Sequence, residues 1–337
     1  MPNTTEELKG PNTTAKDILQ RTLRHENAVL VIVLIALIGG FSVLSKGLTS
    51  SAVNTTNILV QSSIKGVAAV GQAFTMLSAG IDVSVGGNAV FCSLLGAALM
   101  TEGWMNIVGH PTSIYTGVLV MLLAGAGWGV VNGLAVSRIG MPALIVTLAM
   151  WQITLGAGWL VCGGQVIAEL PDNLAFLGSG IVAGIPMPVI FFIVVAAVSY
   201  FVLKHTTFGC SVYATGGNII SAWLSGIKVK KILLSVYVIS GFLAGLASVM
   251  MTSRVMSTSL RTLEGLELDS IAAAAVGGVS LAGGKGSLVG VILGTLIIGV
   301  VNNGMCVLEA NPAVRNIIKG AIIFAAVAID YIRRQSS

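Results

Sequence analysis

The chain has 337 residues, of which 55% are hydrophobic and 9% are charged. An average soluble domain is about 25% charged, so this composition excludes an ordinary soluble fold. The net charge of +5 comes mostly from tails and loops and indicates membrane topology, not nucleic-acid binding. Apolar runs of about 18–22 residues match the length of a bilayer-crossing helix, which predicts an all-α polytopic membrane protein in a lipid bilayer.

Ten apolar segments follow an N-terminal tail of residues 1–27. They form one predicted transmembrane domain, residues 28–332, before a C-terminal tail of residues 333–337. The predicted spans are residues 28–45, 58–79, 84–101, 114–137, 141–162, 186–204, 232–252, 268–282, 287–307 and 313–332. Most of the 18 Lys and Arg residues fall on the inner side when the N-terminus is placed inside. This bias predicts that both termini are cytoplasmic.

The stretch SAGIDVSVGGN (78–88) places one carboxylate, Asp82, between the second and third predicted spans. In the predicted topology this stretch is an inner turn, punctuated by Gly80 and by Gly86 and Gly87. Ser84 can cap the third span, and Asp82 can accept backbone N–H groups at the same helix start. A structural cap is the leading interpretation of Asp82, and a role in gating is the alternative.

Glycines recur at every fourth position along three of the predicted spans. The fourth span contains Gly125, Gly129 and Gly133, the seventh contains Gly241 and Gly245, and the ninth has Gly286, Gly290 and Gly294. Small residues at this spacing give a helix one smooth face on which another helix can pack closely. Simple helix packing is the leading interpretation, and a seam that slides during gating is the alternative.

Motifs for covalent chemistry fail on their spacing. GGVSLAGGKGS (277–287) is no Walker A loop, because Val279 stands where the first glycine is required and Gly286 follows the lysine. The three histidines are scattered, so we expect no catalytic residue, no metal site and no enzyme activity. We expect Lys65 and Lys319 as the ionisable residues of the spans, with no carboxylate at mid-membrane. This argues against an ion-coupled secondary carrier of a small polar solute, which remains the alternative function.

The longest predicted inner loop, residues 204–231, is long enough for a short helix. Gly216 and Gly217 can turn the chain, and Asn218 can cap the helix. Ile219, Ala222, Trp223 and Ile227 then recur at helical spacing and form one apolar face. Gly226 can end the helix before three lysines. An apolar face on the inner side requires a lipid surface or a protein groove to cover it.

Several blocks of the sequence together resemble one family. They are GIDVSVGG (80–87), NGLAVSRIGMPALIVTL (132–148), HTTFGCSVYATGGN (205–218), LSGIKVKKI (224–232), ELDSIAAAAVGGVSLAGGKGSLVG (267–290) and IIGVVNNGM (297–305). The chain resembles the ribose/xylose/galactose-type permeases of ATP-binding cassette (ABC) importers, and most resembles their ribose permeases. The resemblance covers nearly all of residues 28–332.

The resemblance implies a permease that moves a monosaccharide, such as a pentose, across the bacterial plasma (inner) membrane. It implies a fold similar to that of the vitamin B12-importer permeases, with about ten transmembrane helices. The implied partners are a cytoplasmic ABC ATPase, a periplasmic or tethered sugar-binding protein, and a second permease copy or paralogue. ATP and Mg would be bound by the ATPase, and this chain would bind no cofactor of its own.

The resemblance also implies three groups of functional residues. The ATPase-coupling group is Gly216, Gly217, Asn218, Ala222, Trp223, Leu224, Ser225, Gly226 and Ile227. The gating or structural signature is Gly80, Asp82, Ser84, Gly86, Gly283, Gly284 and Lys285. Candidate linings of the substrate path are Gln72, Asn88, Asn132, Asn302 and Asn303, each of which can equally form an interhelical hydrogen bond.

One departure from the family pattern lies in the coupling loop. The family has an acidic residue and an Ala-Ala pair after GGN, whereas this chain has Ile219, Ile220, Ser221 and Ala222. The loss of the acid makes the predicted helix more apolar, which bears on the identity of the ATPase it fits.

Overall fold

The computed structural model describes residues 26–335. The predicted tails of residues 1–27 and 333–337 lie outside the described residues, except where the first and last helices extend into them. Helices α1 to α5 span Glu26–Leu44, Ala52–Leu77, Val85–Met100, Ile114–Leu134 and Ala143–Cys162. Helices α6 to α9 span Ala175–Ser179, Met187–His205, Thr207–Gly217 and Ile219–Leu224. Helices α10 to α13 span Val229–Val255, Leu266–Val276, Leu288–Val307 and Pro312–Gln335.

Short elements complete the described chain. A π-helical turn, Ala135–Ile139, continues α4, and a 3-10 turn, Asp172–Leu174, precedes α6. Strand β1, Ile181–Val182, pairs antiparallel with β2, Ile185–Pro186, in a small hairpin before α7.

Within residues 26–335, seven helices are long and apolar enough to cross a membrane: α1, α4 with its π turn, α5, α7, α10, α12 and α13. Helix α3 is apolar but has 16 residues, and α11 has 11 residues. Each of the ten predicted segments overlaps one helix, because apolar runs between loop residues favour helices in a bilayer. The chain is therefore a mostly helical, multi-pass membrane protein.

Two helix boundaries differ from the predicted spans. Helix α2 begins at Ala52 and not at residue 58, because the Ser51 side chain accepts the N–H of Asn54 and caps an earlier start. Helix α11 ends at Val276 and not at residue 282, since Gly278 has a φ of +82°. Glycine adopts this left-handed conformation without steric cost.

Helix α2 lies at the centre of the bundle, packed against α7, α10, α11 and α12. From Ser62 to Leu77 its residues are buried, except for the partly exposed Lys65. The predicted glycine faces of α4 and α10 pack on each other. A Cβ atom on Gly129 or Gly241 would contact backbone of the opposite helix. Close backbone packing accounts for this spacing in the structure.

Candidate functional site

Three segments that contain predicted functional residues contact each other through their backbones. They are the end of α2 with the turn before α3, the end of α8, and the loop before α12. The N–H of Gly284 donates to the carbonyl of Leu77 at 2.9 Å. A Cβ atom on Gly216 would contact both of these groups, and one on Gly283 would contact the backbone of Ala79. We call this contact the glycine junction; its members are Leu77, Ala79, Gly216, Gly217, Gly283 and Gly284. The junction joins the turn before α3 and the loop before α12 to the end of α8.

The loop before α12 is also held by side chains on both sides. The Tyr213 hydroxyl on α8 donates to the carbonyl of Gly286 at 3.0 Å. A tyrosine hydroxyl is protonated at neutral pH and can donate, and burial raises the pKa of the Tyr213 phenol further. The Asp330 carboxylate on α13 accepts the N–H of Leu281 at 3.3 Å. Lys285 is exposed in the same loop. Motion of α8 would therefore be transmitted to this loop.

The predicted coupling helix is present as α9. Asn218 caps it, because its side-chain oxygen accepts the N–H of Ser221 at 2.9 Å. Ser225 follows as the C-terminal cap, and Gly226, with a φ of +83°, ends the turn. Helix α8 before it was not predicted, and it carries Gly216 and Gly217 as helical residues and not as a turn.

The predicted apolar face of α9 is wrong in its composition. Ala222 is buried against the bundle, whereas Trp223 is 66% exposed and Leu224 is 72% exposed. The exposed apolar surface therefore comprises Ile219, Ile220, Trp223 and Leu224. The reason is that α9 has fewer than two turns, so the packing of Ala222 decides which way the other side chains point. A groove of about 600 Å³, lined by Trp223 and Ile227 among others, lies beside this surface.

Asp82 is deeply buried, and its carboxylate oxygens accept hydrogen bonds from two serine hydroxyls and one backbone amide. Its Oδ1 atom accepts the N–H of Ser84 at 3.0 Å and the hydroxyl of Ser84 at 2.6 Å. Its Oδ2 atom accepts the hydroxyl of Ser240, near the middle of α10, at 2.8 Å. Gln72, with its amide oriented to satisfy both groups, donates to the backbone carbonyl of Asp82 at 2.9 Å and accepts its N–H at 3.2 Å. Asn132 donates to the Ser84 hydroxyl at 2.7 Å.

The turn predicted around Asp82 is present, since residues 78–84 connect α2 to α3 without helical structure. Asp82 is only 1% exposed within it, and it accepts the N–H of Ser84 at the start of α3, as predicted. The Ser84 side chain does not cap α3, because its hydroxyl is engaged by Asp82 and Asn132. Gly86 and Gly87 lie in the first turn of α3. Gly80 approaches Tyr237, whose hydroxyl a Cβ atom would meet at 2.5 Å.

The five candidate path residues are dispersed. Gln72 and Asn132 belong to the Asp82 network, and Asn88 donates to the carbonyl of Gly125 at 3.2 Å. Asn303 exchanges hydrogen bonds of 2.8 and 3.0 Å with Asn54. Asn302 donates to the Asp269 carboxylate at 3.4 Å and lines a cavity of about 320 Å³. Asn88, Asn302 and Asn303 thus bond to a neighbouring helix, the alternative that their sequence left open. Gln72 and Asn132 bond instead to the segment between α2 and α3.

The expectation of no carboxylate within the spans is wrong. Asp269 lies in the predicted eighth span, and its side chain is 5% exposed. Its carboxylate pairs with Lys65 at 2.6 Å and with Lys319 at 3.0 Å. Glu267, predicted in an outer loop, lies in the first turn of α11 and is also buried. Both acids occur in the block ELDSIAAAA, at the start of an apolar run, so the sequence alone could have predicted carboxylates in this span.

Across residues 26–335, no group of three or more His, Cys, Asp or Glu side chains is placed to hold a metal ion. Of the four cysteines, Cys92 and Cys162 are buried in the bundle, and all four are free.

Comparison with known proteins decides the family. The sequence profile described as "Branched-chain amino acid transport system / permease component" matches residues 54–327. This chain belongs to that permease family. The ribose import permease of Haemophilus influenzae is 35% identical over 281 residues, covering 82% of this chain and 84% of the relative. The ribose import permease of Escherichia coli K12 is 35% identical over 312 residues, covering 91% of this chain and 94% of the relative.

Further relatives carry other sugars in their names. The D-allose transport system permease of Escherichia coli K12 is 35% identical over 277 residues, 82% of this chain and 83% of the relative. No solved structure matches the chain. The resemblance that the sequence motifs indicated is confirmed. The family match extends over the glycine junction, α9 and the Asp82 network.

Proposed function

We propose that this permease is the membrane-spanning subunit of an ABC importer that moves a monosaccharide inward. The observation that carries the proposal is the 35% identity to a ribose import permease over 91% of this chain. A pentose or a related sugar is the proposed cargo, since relatives are named for ribose, allose and xylose. ATP would be hydrolysed, with Mg, on a separate subunit, and this chain is not an enzyme.

The exposed apolar residues of α9 support a cytoplasmic ATPase as one partner. Trp223 and Leu224 would cost free energy if left in water, and a groove in a partner protein removes that cost. Closure of the ATPases on ATP binding would push on α8 and α9. The glycine junction would then pass the displacement to the residues before α3 and before α12.

The remaining topology is part of the same proposal. All ten predicted segments cross the membrane, with both termini cytoplasmic, in an arrangement similar to that of the vitamin B12-importer permeases. The chain acts as a pair with a second copy or a paralogue, in a bacterial inner membrane. A periplasmic or tethered sugar-binding protein docks on the outer loops. Two of these loops are joined to each other, because Ile167 and Thr258 exchange backbone hydrogen bonds of 2.9 and 2.8 Å.

Reconstitution in proteoliposomes tests this function. We expect uptake of radiolabelled sugar that requires ATP, the ATPase and the binding protein together. Omission of any one component is the matched control. Uptake without the ATPase that collapses with a sodium or proton gradient would replace the proposal with the ion-coupled carrier. An assembled complex with no uptake of ribose, allose or xylose would contradict the sugar assignment.

A further inference from the structure

A cavity of about 420 Å³ opens between α3, α5 and the loop that leads into α11. Its size falls within the range of about 300–1,000 Å³ typical of small-molecule sites. Part of its lining is aliphatic, namely Val90, Leu155, Leu260 and Leu263. The aromatic and charged part consists of two indoles, two carboxylates and a guanidinium, which belong to Trp151, Trp159, Glu264, Glu267 and Arg261. Gly86, Gly87 and Gly265 complete the lining. None of them belongs to the five candidate path residues of the sequence analysis.

The glycine pair at the start of α3 lets a carboxylate and the backbone of α5 approach the helix closely. A Cβ atom on Gly86 would collide with the carboxylate of Glu267. A Cβ atom on Gly87 would lie 2.7 Å from the backbone carbonyl of Trp151 and 3.0 Å from its Cδ1 atom. Glu267 and Trp151 therefore both lie against the first turn of α3, and both line the cavity.

Glu267 is a buried carboxylate that makes no salt bridge within the described residues 26–335. It is 8% exposed and lines the cavity, and it takes no part in the ion pairs that Asp269 makes two residues later. It accepts its own backbone N–H and interacts electrostatically with Lys319. One N–H does not fill the acceptor sites of two carboxylate oxygens, so Glu267 can accept further donors that enter the cavity.

We propose that this cavity is a sugar-contact site on the transport path. The apolar C–H face of a sugar ring packs on the Trp151 indole, while ring hydroxyls donate to Glu267. Arg261, exposed at the rim, supplies donors to the sugar oxygens. The inference rests on the proposed import of a monosaccharide and adds the residues that touch it.

The composition of the cavity favours a sugar over a cation or an apolar solute. A monosaccharide presents an apolar ring face and a rim of hydroxyl donors, which match an indole and a carboxylate held together. A hard cation prefers six or more oxygen ligands, which an indole does not supply. An apolar solute would bring no further donors to the Glu267 carboxylate.

The test uses the complete importer in proteoliposomes, with radiolabelled ribose as the probe. We expect Glu267→Gln and Trp151→Ala each to lower uptake about tenfold, the value of one strong contact. Phe324→Ala is the matched control for the loss of an aromatic ring, because Phe324 is exposed on α13, outside the cavity and outside the outer loops. Wild-type uptake by both cavity variants would overturn the inference.

Assembly with the ATPase, measured by co-purification, separates contact with sugar from loss of the fold. If Glu267→Gln fails to assemble, the comparison of Trp151→Phe with Trp151→Ala tests the inference instead. In that series uptake should fall in the order Trp, Phe, Ala, and equal uptake by the three would overturn it. A loss of sodium dependence in Glu267→Gln with unchanged dependence on ribose concentration would instead assign a cation site. Failure of the wild-type complex to import any sugar would overturn the proposed function and this site with it, whereas wild-type uptake that the cavity variants retain would overturn the site alone.

Discussion

Lys65 Nζ lies 2.6 Å from Oδ2 of Asp269, which ties the middle of α2 to the first turns of α11. Lys319 on α13 approaches the other carboxylate oxygen at 3.0 Å, so one buried acid joins three helices. Helix α13 packs mainly on α11, and the ion pair therefore supplements a limited apolar contact. A buried ion pair contributes little net stability, but removing one partner leaves the other uncompensated.

Asp269→Asn should therefore destabilise the protein. We expect a loss of about 3 kcal/mol in the free energy of unfolding, because two lysines lose their counter-ion. Lys65→Met should have a smaller effect, since Lys319 still neutralises Asp269. Thermal unfolding of the detergent-solubilised protein measures both effects. Equal stability of Asp269→Asn and the wild type would contradict a structural role for the pair.

Gly216→Ala should uncouple transport from ATP hydrolysis. A Cβ atom at Gly216 would collide with the carbonyl of Leu77 and displace Gly284, which breaks the glycine junction. Gly217→Ala is the matched control, because a Cβ atom there has no neighbour within 4 Å. We expect ATP-driven uptake to fall at least about tenfold in the first variant and to persist in the second. If both variants transport equally, the junction does not carry the coupling.

Trp223→Asp should abolish binding of the ATPase while the chain still inserts in the membrane. The Trp223 side chain is 66% exposed, so a charge there disturbs no internal packing but disfavours an apolar partner groove. Co-purification with the ATPase measures binding. Trp104→Asp, in the loop after α3, is the control for a charge on an exposed tryptophan. Normal association of the Trp223 variant with the ATPase would show that α9 is not the docking surface.

Asp82→Asn should be tolerated, whereas Asp82→Ala should not. An amide keeps one oxygen acceptor for Ser84, and its NH₂ group can donate to the Ser240 hydroxyl, so we expect a loss of about 1 kcal/mol. Alanine leaves the donors of both serines unsatisfied, and about 3 kcal/mol should be lost. Thermal unfolding compares the two variants. A stable Asp82→Asn protein that no longer imports sugar would assign the carboxylate to gating.

Sequence composition and periodicity determined the membrane class and the positions of most helices. Apolar runs must be helical in a bilayer, since no water is present to satisfy the backbone, and all ten runs overlap helices. The motif blocks determined the family, which the comparison confirmed. Local rules also located the Asn218 cap and the end of α9 at Gly226. Each of these features depends on residues a few positions apart.

Tertiary structure decided which polar groups meet. Asp82 is paired with Ser240, 158 positions away in the sequence, and Lys65 with Asp269, 204 positions away. No local pattern encodes such partners, so the predicted inner turn at Asp82 and the predicted path asparagines were placed by topology alone. The cavity at Gly86 and Glu267 likewise exists because α3 and α11 begin beside each other inside the bundle. Burial in a low-dielectric interior disfavours polar groups without a partner, and three-dimensional packing determines which partner each group meets.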